Sequence, residues 1–469
     1  MISNLLLLIF VETVVLAVPG VEPVQFGDGY LKTRVEKILK KQDPVASDML
    51  RLENLSIHYH ITSLAGLEYA HNLKQLNLRN VSADDLSPLS GLKNLEKLGI
   101  SSSGIRDISA LSGLTKLKNL NLIRNEISDI SALSGLRGLE RLYLGENQIE
   151  DISVLSGLTN LEKLGLSENM IESIEPLLKL KQLSSLSLNK NPVRDFQLLS
   201  KLKLSDLTMA KCGASDISFL SGMTSLQKLA LVGNGIQDIS SLSNLTGLQE
   251  LTLYSNQIED ISSLSGLHKL ENLNLSHNRI VDISALSEMK NLTFLIADNN
   301  RIKDISVLAN LTNMDSVHLN NNCISRIPDL SLLGKLPSLE LQENRIRDIS
   351  GLVALFFSDL NLKGNPLNRA AYRKYLPRIK QKNKHLTYPT WKWQMEWRRG
   401  FIPWMRRRST FKSRGSSLGP SLDYDPPSGI WLIYYVAVTV LSLAAILFGV
   451  LILQRIRRKK SPDTVETML

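Results

Sequence analysis

From Leu73 to Leu367 the chain repeats one pattern, Leu-x-x-Leu-x-Leu-x-x-Asn-x-Ile-x-Asp-Ile-Ser-x-Leu-Ser-x-Leu, at intervals of 22 residues and occasionally 21. Units begin at Leu73, Leu95, Leu117, Leu139, Leu161, Leu183, Leu204, Leu226, Leu248, Leu270, Leu292, Met314, Leu336 and Phe357, behind a degenerate unit near Leu52. A module this short cannot enclose a core alone. Stacked neighbours bury a continuous one, so stability becomes a sum of nearest-neighbour interfaces and the repeat region is one long domain.

Each position in the unit has a physical assignment. Leu142 and Leu144 alternate with polar residues, as do their counterparts in other units, which places the leucines on one face of a short strand and the residues between them on the other. An asparagine column follows at Asn125, Asn147, Asn169, Asn191, Asn234, Asn256, Asn278, Asn300, Asn322, Asn344 and Asn365. A buried amide both donates and accepts, so this column is expected to satisfy backbone groups where the chain leaves the strand. An aspartate column, including Asp107, Asp129, Asp151, Asp238, Asp260 and Asp348, is expected to cap a short helical turn by accepting from backbone amides one turn on. A row of calcium sites is disfavoured, because a calcium cage needs six or more oxygens and each unit offers one carboxylate.

This motif resembles the leucine-rich repeat, in its short internalin form and in the related phosphatase-regulatory-subunit form, over about 300 of the 469 residues. The stretch from Ile61 to Leu73, with Leu76 and Leu78 after it, is similar to the junction between an internalin cap and its first repeats. The resemblance implies an α/β solenoid: a right-handed horseshoe with a parallel sheet on its concave side and short helical turns on its convex side. It also implies protein binding rather than catalysis.

The flanks define the remaining segments. Residues 1–20 read as a signal peptide, an apolar run from Leu5 to Val18 ending in small residues, although Glu12 interrupts it and no basic segment precedes it. Residues 21–72 are expected to form an N-terminal cap, with an amphipathic helix opening near Asp28. Residues 368–389 are expected to form a C-terminal cap, with Asn368 starting a helix that Pro377 bends. Residues 390–429 form a neck, residues 430–453 an uncharged stretch long enough for one transmembrane helix, and residues 454–469 a tail. Arg455, Arg457, Arg458, Lys459 and Lys460 directly follow the span, which places the tail in the cytoplasm and gives a single-pass type I arrangement if the leader works. If it does not, the same chain is tail-anchored with a cytosolic solenoid.

Charge is unevenly distributed. The net charge is +10, yet residues 369–414 alone carry 15 Lys and Arg against Glu396, which leaves residues 1–368 acidic. In the neck Trp391, Trp393, Trp397 and Trp404 interleave with Arg398, Arg399, Arg406, Arg407 and Arg408. Three readings of this segment stand side by side: contact with a membrane surface, binding of a polyanion, and a solvated stalk. Nucleic acid is not expected, because no nucleic-acid-binding fold accompanies the basic run. Thr467 and Leu469 resemble the C-terminal ligand of a PDZ protein.

Sequons at Asn54, Asn80, Asn244, Asn291 and Asn310 are candidate N-glycosylation sites; a sixth, Asn274, projects from the strand face, where a glycan would obstruct a ligand. Cys212 and Cys323, five repeats apart, cannot pair and are expected to be free and buried. No catalytic or cofactor motif is found, and His58, His60 and His71 near the front cap read as ordinary surface residues rather than a metal site. The expected partner-binding residues lie on the strand face: Lys228, Val232, Glu250, Thr252, Tyr254, Phe294 and Ile296, apolar side chains rimmed by charge. Tyr143 with Arg141 and Lys163 forms a second patch. The leading expectation is a cell-surface recognition or adhesion protein; the alternative is an intracellular scaffold regulating a soluble partner such as a phosphatase.

Overall fold

The structure, a computed structural model, describes residues 22–82, 84–382 and 385–388. It contains a parallel sheet of sixteen strands whose spatial order is their chain order. That order follows from the repeat. Each unit returns to the same face one strand further along, and equivalent leucines pair across it: Leu120 with Leu142, Leu142 with Leu164, Leu164 with Leu186. In the unit starting at Leu139, the side chains of Leu139, Leu142, Leu144, Ile149, Ile152, Leu155 and Leu158 are all buried, so every apolar column of the motif lies in one core.

Between strand and ladder asparagine the backbone turns through the left-handed region once per unit. Arg124, Glu146, Glu168, Lys190, Ser255, His277 and Glu343 all have φ between 53° and 61°. Such a conformation costs a non-glycine residue roughly 1–2 kcal/mol. The asparagine that follows offsets it. Asn256 Oδ1 accepts from the amides of Asn234 (3.0 Å) and Ile236 (3.1 Å), and its Nδ2 donates to the carbonyls of Leu231 (2.9 Å) and Leu253 (3.0 Å). One side chain thus ties its own turn to the turn of the preceding unit. Where the column lapses, Ser103 substitutes in part, donating to Ser101 O and accepting from Val81 N.

The aspartate column acts one step earlier than the sequence suggests. Asp107, Asp129, Asp151, Asp238, Asp260 and Asp282 each accept, through one oxygen, from the amide of the serine two residues on, and through the other from that serine's hydroxyl. The turn that follows is a 3-10 turn of three to five residues, as at Ser131–Gly135 and Ser262–Leu264. So tight a turn brings the amide at the second position, rather than one a full α-turn away, within reach of the carboxylate.

At the front, α1 (Gly29–Leu39) is capped by Asp28, which accepts from the amides of Tyr30 and Leu31, and it buries Leu31, Val35 and Leu39. A short helix, α2 (Ala46–Met49), follows. At the back, Asn368 accepts from Ala371 N, and a wide π turn over Ala371–Tyr375 leads into α3 (Leu376–Lys382). Pro377 lies inside this continuous run. The widened turn just ahead of it accommodates the N–H that proline lacks. A last strand, His385–Thr387, which no alternation in the sequence predicts, pairs with Asp359–Asn361 and extends the sheet beyond the final repeat. Cys212 and Cys323, expected to be buried, are half-buried. Both sit at or beside the ladder, at the edge where the chain turns outward.

Candidate functional site

Side chains between the buried leucines project from the other face of the sheet, and the register fixes their rows. Lys228, Glu250, Asn272, Phe294, Ser316, Ser338 and Asp359 form one row; Ala230, Thr252, Asn274, Ile296, His318, Glu340 and Asn361 form the next. A third row, at the strand ends, contains Val232, Tyr254, Ser276, Asp298, Asn320 and Gln342.

The expected partner-binding residues fall into two groups. Lys228, Val232, Glu250, Thr252 and Tyr254 occupy adjacent rungs, and Phe294 with Ile296 stands two rungs further on, beyond Asn272 and Asn274. Tyr254 is 37 % exposed and meets the ring of His277 edge-on at 5.0 Å between centroids. Phe294, Ile296, Thr252 and Val232 are half-buried. Lys228 and Glu250 bond to each other at 2.9 Å, so each already has a partner of opposite charge on the sheet. In the second patch Tyr143 leans over Gly165, where an added Cβ would come within 3.1 Å of its ring, so a larger residue there would require the ring to shift by a few tenths of an ångström.

Electrostatic perturbation concentrates further along the same face, on residues outside the expected partner-binding set. Burial raises the carboxyl of Asp298 to about 6, despite the bonds it accepts from Asn320. Glu340 is raised too, first by burial and then by the charges of Asp359 and Asp298, while its bond from Asn361 opposes the shift. Burial lowers His318, favouring its neutral form. Asp206, near Lys228, is raised by burial against that lysine's pull. By contrast, Asp129, Asp216 and Asp260 on the opposite side are held below the usual carboxylate range by the amide and hydroxyl of their serines. A signal for the perturbed stretch was present in the sequence: His318 and Glu340 follow Ile296 at the repeat interval.

Of the candidate glycosylation sites, Asn54, Asn80, Asn244, Asn291 and Asn310 are exposed. Asn274 is half-buried, and its Oδ1 accepts from Ser276 N. Among the described residues no group of histidine, cysteine and acidic side chains is arranged to hold a metal ion. No helix among them is long and apolar enough to cross a membrane. The leader, the neck with its tryptophans and arginines, the 430–453 span, and Thr467 and Leu469 lie outside the described residues.

Comparison with known proteins agrees with this geometry. A family model described as leucine rich repeats in two copies matches residues 137–179, 159–203, 224–266, 246–288, 268–310 and 290–332, and a second leucine rich repeat model matches residues 93–149. No curated protein sequence matches the chain. Among solved structures, an internalin from Listeria monocytogenes is 33 % identical, with 72 % of this chain and 96 % of that one covered and a TM-score of 0.58. A leucine-rich repeat protein from Leptospira interrogans is 24 % identical over 70 % of this chain and 81 % of its own, with a TM-score of 0.54. The leucine-rich repeat ectodomain of a plant membrane receptor kinase from Arabidopsis thaliana, solved in complex with Casparian strip integrity factor 2, shares the fold at 19 % identity, covering 73 % of this chain and 48 % of its own, with a TM-score of 0.51. The repeating strand, the asparagine ladder, the aspartate-capped turn and the close likeness to an internalin together place this chain in the leucine-rich repeat family.

Proposed function

We propose that the strand face is a recognition surface for a protein ligand, and that the chain displays it at the cell surface as a single-pass type I membrane protein acting in recognition or adhesion. The observation that carries the first part is Tyr254: a large ring 37 % exposed on a face whose neighbouring leucines are fully buried. A rigid aromatic of this kind supplies contact area at little entropic cost, and a few such anchors supply most of the free energy of an interface. Val232, Thr252, Phe294 and Ile296 extend the apolar area, and Lys228 with Glu250 forms its charged rim. The internalin likeness and the ligand-bound plant ectodomain support binding rather than catalysis as the role of such a sheet.

Display outside the cell rests on the leader, the 430–453 span and the basic residues after it, with sugar on Asn54, Asn80, Asn244, Asn291 or Asn310. In the same reading the neck lies against anionic headgroups or a polyanion, and Thr467 with Leu469 engages a PDZ protein. The tail-anchored alternative, an intracellular scaffold for a soluble partner such as a phosphatase, is favoured by Cys212 and Cys323, two free thiols unusual in an oxidising compartment. Protease protection of tagged full-length protein in intact cells, read with a glycosidase-sensitive mobility shift, separates them. Exposed, sugar-bearing repeats support the first arrangement, and protected, unmodified repeats overturn it. In the compartment so defined, crosslinking by wild type and by Tyr254→Ala/Phe294→Ala tests the face: a protein crosslinked equally by both removes these side chains from the interface.

A further inference from the structure

We propose that the solenoid carries a hinge over the units beginning at Leu183, Leu204 and Leu226, where the outer turns part while the sheet stays intact. Bending there changes the angle between two patches of the strand face: Arg141 and Tyr143 before the hinge, Tyr254 and Phe294 after it. The hinge itself stands apart from the ligand-binding reading of that face; only its consequence for a ligand touching both patches rests on it.

In regular units two bonds tie each outer turn to its neighbour. One runs between backbones, from the residue after the ladder asparagine: Gln148 N to Ile127 O, Met170 N to Ile149 O and Gln257 N to Ile236 O, each at 2.9 Å. The other runs to the next unit's ladder oxygen, as from Ile149 N to Asn169 Oδ1 and from Ile171 N to Asn191 Oδ1, both at 3.0 Å. Through three consecutive units the first bond is missing. Pro192 has no N–H, and among the described residues no acceptor meets the amides of Gly213 and Gly235. The second fails beside them. The buried amide of Val193 has no acceptor among the described residues, because Cys212 stands where other units offer an amide oxygen, and Ala214 N reaches Asn234 Oδ1 only at 3.4 Å. Asn256 donates to Leu231 O and to Leu253 O in its own turn, whereas Asn234 donates to Met209 O alone.

The convex side is loose at the same place. A cleft of about 580 Å³ separates turns of the units at Leu204 and Leu226, lined by residues that include Ser215, Ser218, Gln237 and Ser241. Ser241 Oγ is buried without a partner, while its counterpart one unit on, Ser263 Oγ, donates to Ile239 O at 3.1 Å. A Cβ added at Gly213 would have nothing within 4 Å, and its φ of 75° costs a glycine nothing, so the turn has room to move. The strands, by contrast, pair without interruption: Ser185–Ser187 with Asp206–Thr208, and those with Lys228–Ala230. Hydrogen bonds are directional and fix the angle between units, whereas apolar contacts such as Phe196 on Phe219, with ring centroids 6.0 Å apart, tolerate sliding. A stack whose stability is a sum of neighbour interfaces opens first at its least bonded one, and here the intact sheet serves as the axis.

The test measures distances by double electron–electron resonance in the full-length protein carrying Cys212→Ser and Cys323→Ser. Nitroxide labels are placed at exposed positions, on Glu150→Cys with Glu259→Cys across the hinge, and on Glu259→Cys with Arg347→Cys wholly after it. The pair across the hinge is expected to give a distribution about twice as broad as the control pair, and to narrow to the control width when Cys212→Asn replaces Cys212→Ser. Equal widths, or no narrowing with asparagine, overturns the hinge. Hydrogen exchange of the unlabelled wild type needs no substitution. After correction for intrinsic rates, the Cys212 amide, although bonded to Asn234 Oδ1 at 2.9 Å, should exchange about tenfold faster than that of Ile280, bonded to Asn300 Oδ1 at 3.0 Å. Equal exchange at the two amides overturns the proposal as well.

Discussion

Replacing Asn256 by alanine tests the structural logic most directly, because one amide joins the turns of two neighbouring units. Its two acceptor bonds, from Asn234 N and Ile236 N, and its two donor bonds, to Leu231 O and Leu253 O, span 2.9–3.1 Å. A hydrogen bond between uncharged groups is worth roughly 1 kcal/mol net, and a buried group left without a partner costs about 1–3 kcal/mol. Asn256 is only 8 % exposed, so water does not readily replace the lost bonds. The variant should therefore lose about 4 kcal/mol, a large share of the 5–15 kcal/mol typical of a folded domain. Because repeat stability is a sum of neighbour interfaces, the damage should be local. Urea denaturation followed by circular dichroism measures the total, and hydrogen exchange resolved by peptide locates it, with faster exchange expected across 226–260 and little change across 117–150. Asp260→Ala, which removes an exposed turn cap, should cost far less. A loss below about 1 kcal/mol for Asn256→Ala, or one no larger than for Asp260→Ala, refutes the ladder as a major source of stability.

Further outcomes follow from single positions. Cys212 occupies a ladder position and its Sγ lies 3.2 Å from Leu188 O, a weak substitute for an amide, so Cys212→Asn should raise stability by about 1 kcal/mol in the same denaturation assay. Asp298 has a carboxyl raised to about 6, so the folded state holds its proton more tightly than the unfolded chain does; stability should fall as pH rises from about 4 to about 6 and then level off. Asp298→Asn should remove that slope and gain about 3 kcal/mol at pH 7 with little gain at pH 4, as read from pH-dependent thermal unfolding. Asp129, Asp216 and Asp260 work in the opposite sense: their depressed carboxyls stabilise the fold above the unfolded value, and that contribution is lost as pH falls through the depressed one. The triple Asp→Asn variant should therefore show a flatter acid limb. Tyr254→Ala/Phe294→Ala should leave the melting temperature nearly unchanged, since Tyr254 is exposed and Phe294 half-buried; a drop as large as that of a core leucine variant would make them core residues.

What the sequence determined by itself is the architecture of one unit and its repetition. Leu142 and Leu144 point inward, Asn147 closes the turn and Asp151 caps the next one, because these roles depend on periodicity and on chemistry within a few residues, and repeating a unit repeats its geometry. Tertiary structure alone decided what depends on neighbours. The strand His385–Thr387 exists because an exposed sheet edge is available to it, and no local signal in a short, mixed segment announces that. Lys228 and Glu250 lose their apparent freedom because the register sets them 2.9 Å apart. The half-buried carboxylates of Asp298 and Glu340 look like ordinary surface acids when read along the chain. Their perturbation arises only when residues a full repeat apart become adjacent and shut out water, since desolvation and charge repulsion depend on distance in space rather than position in the sequence.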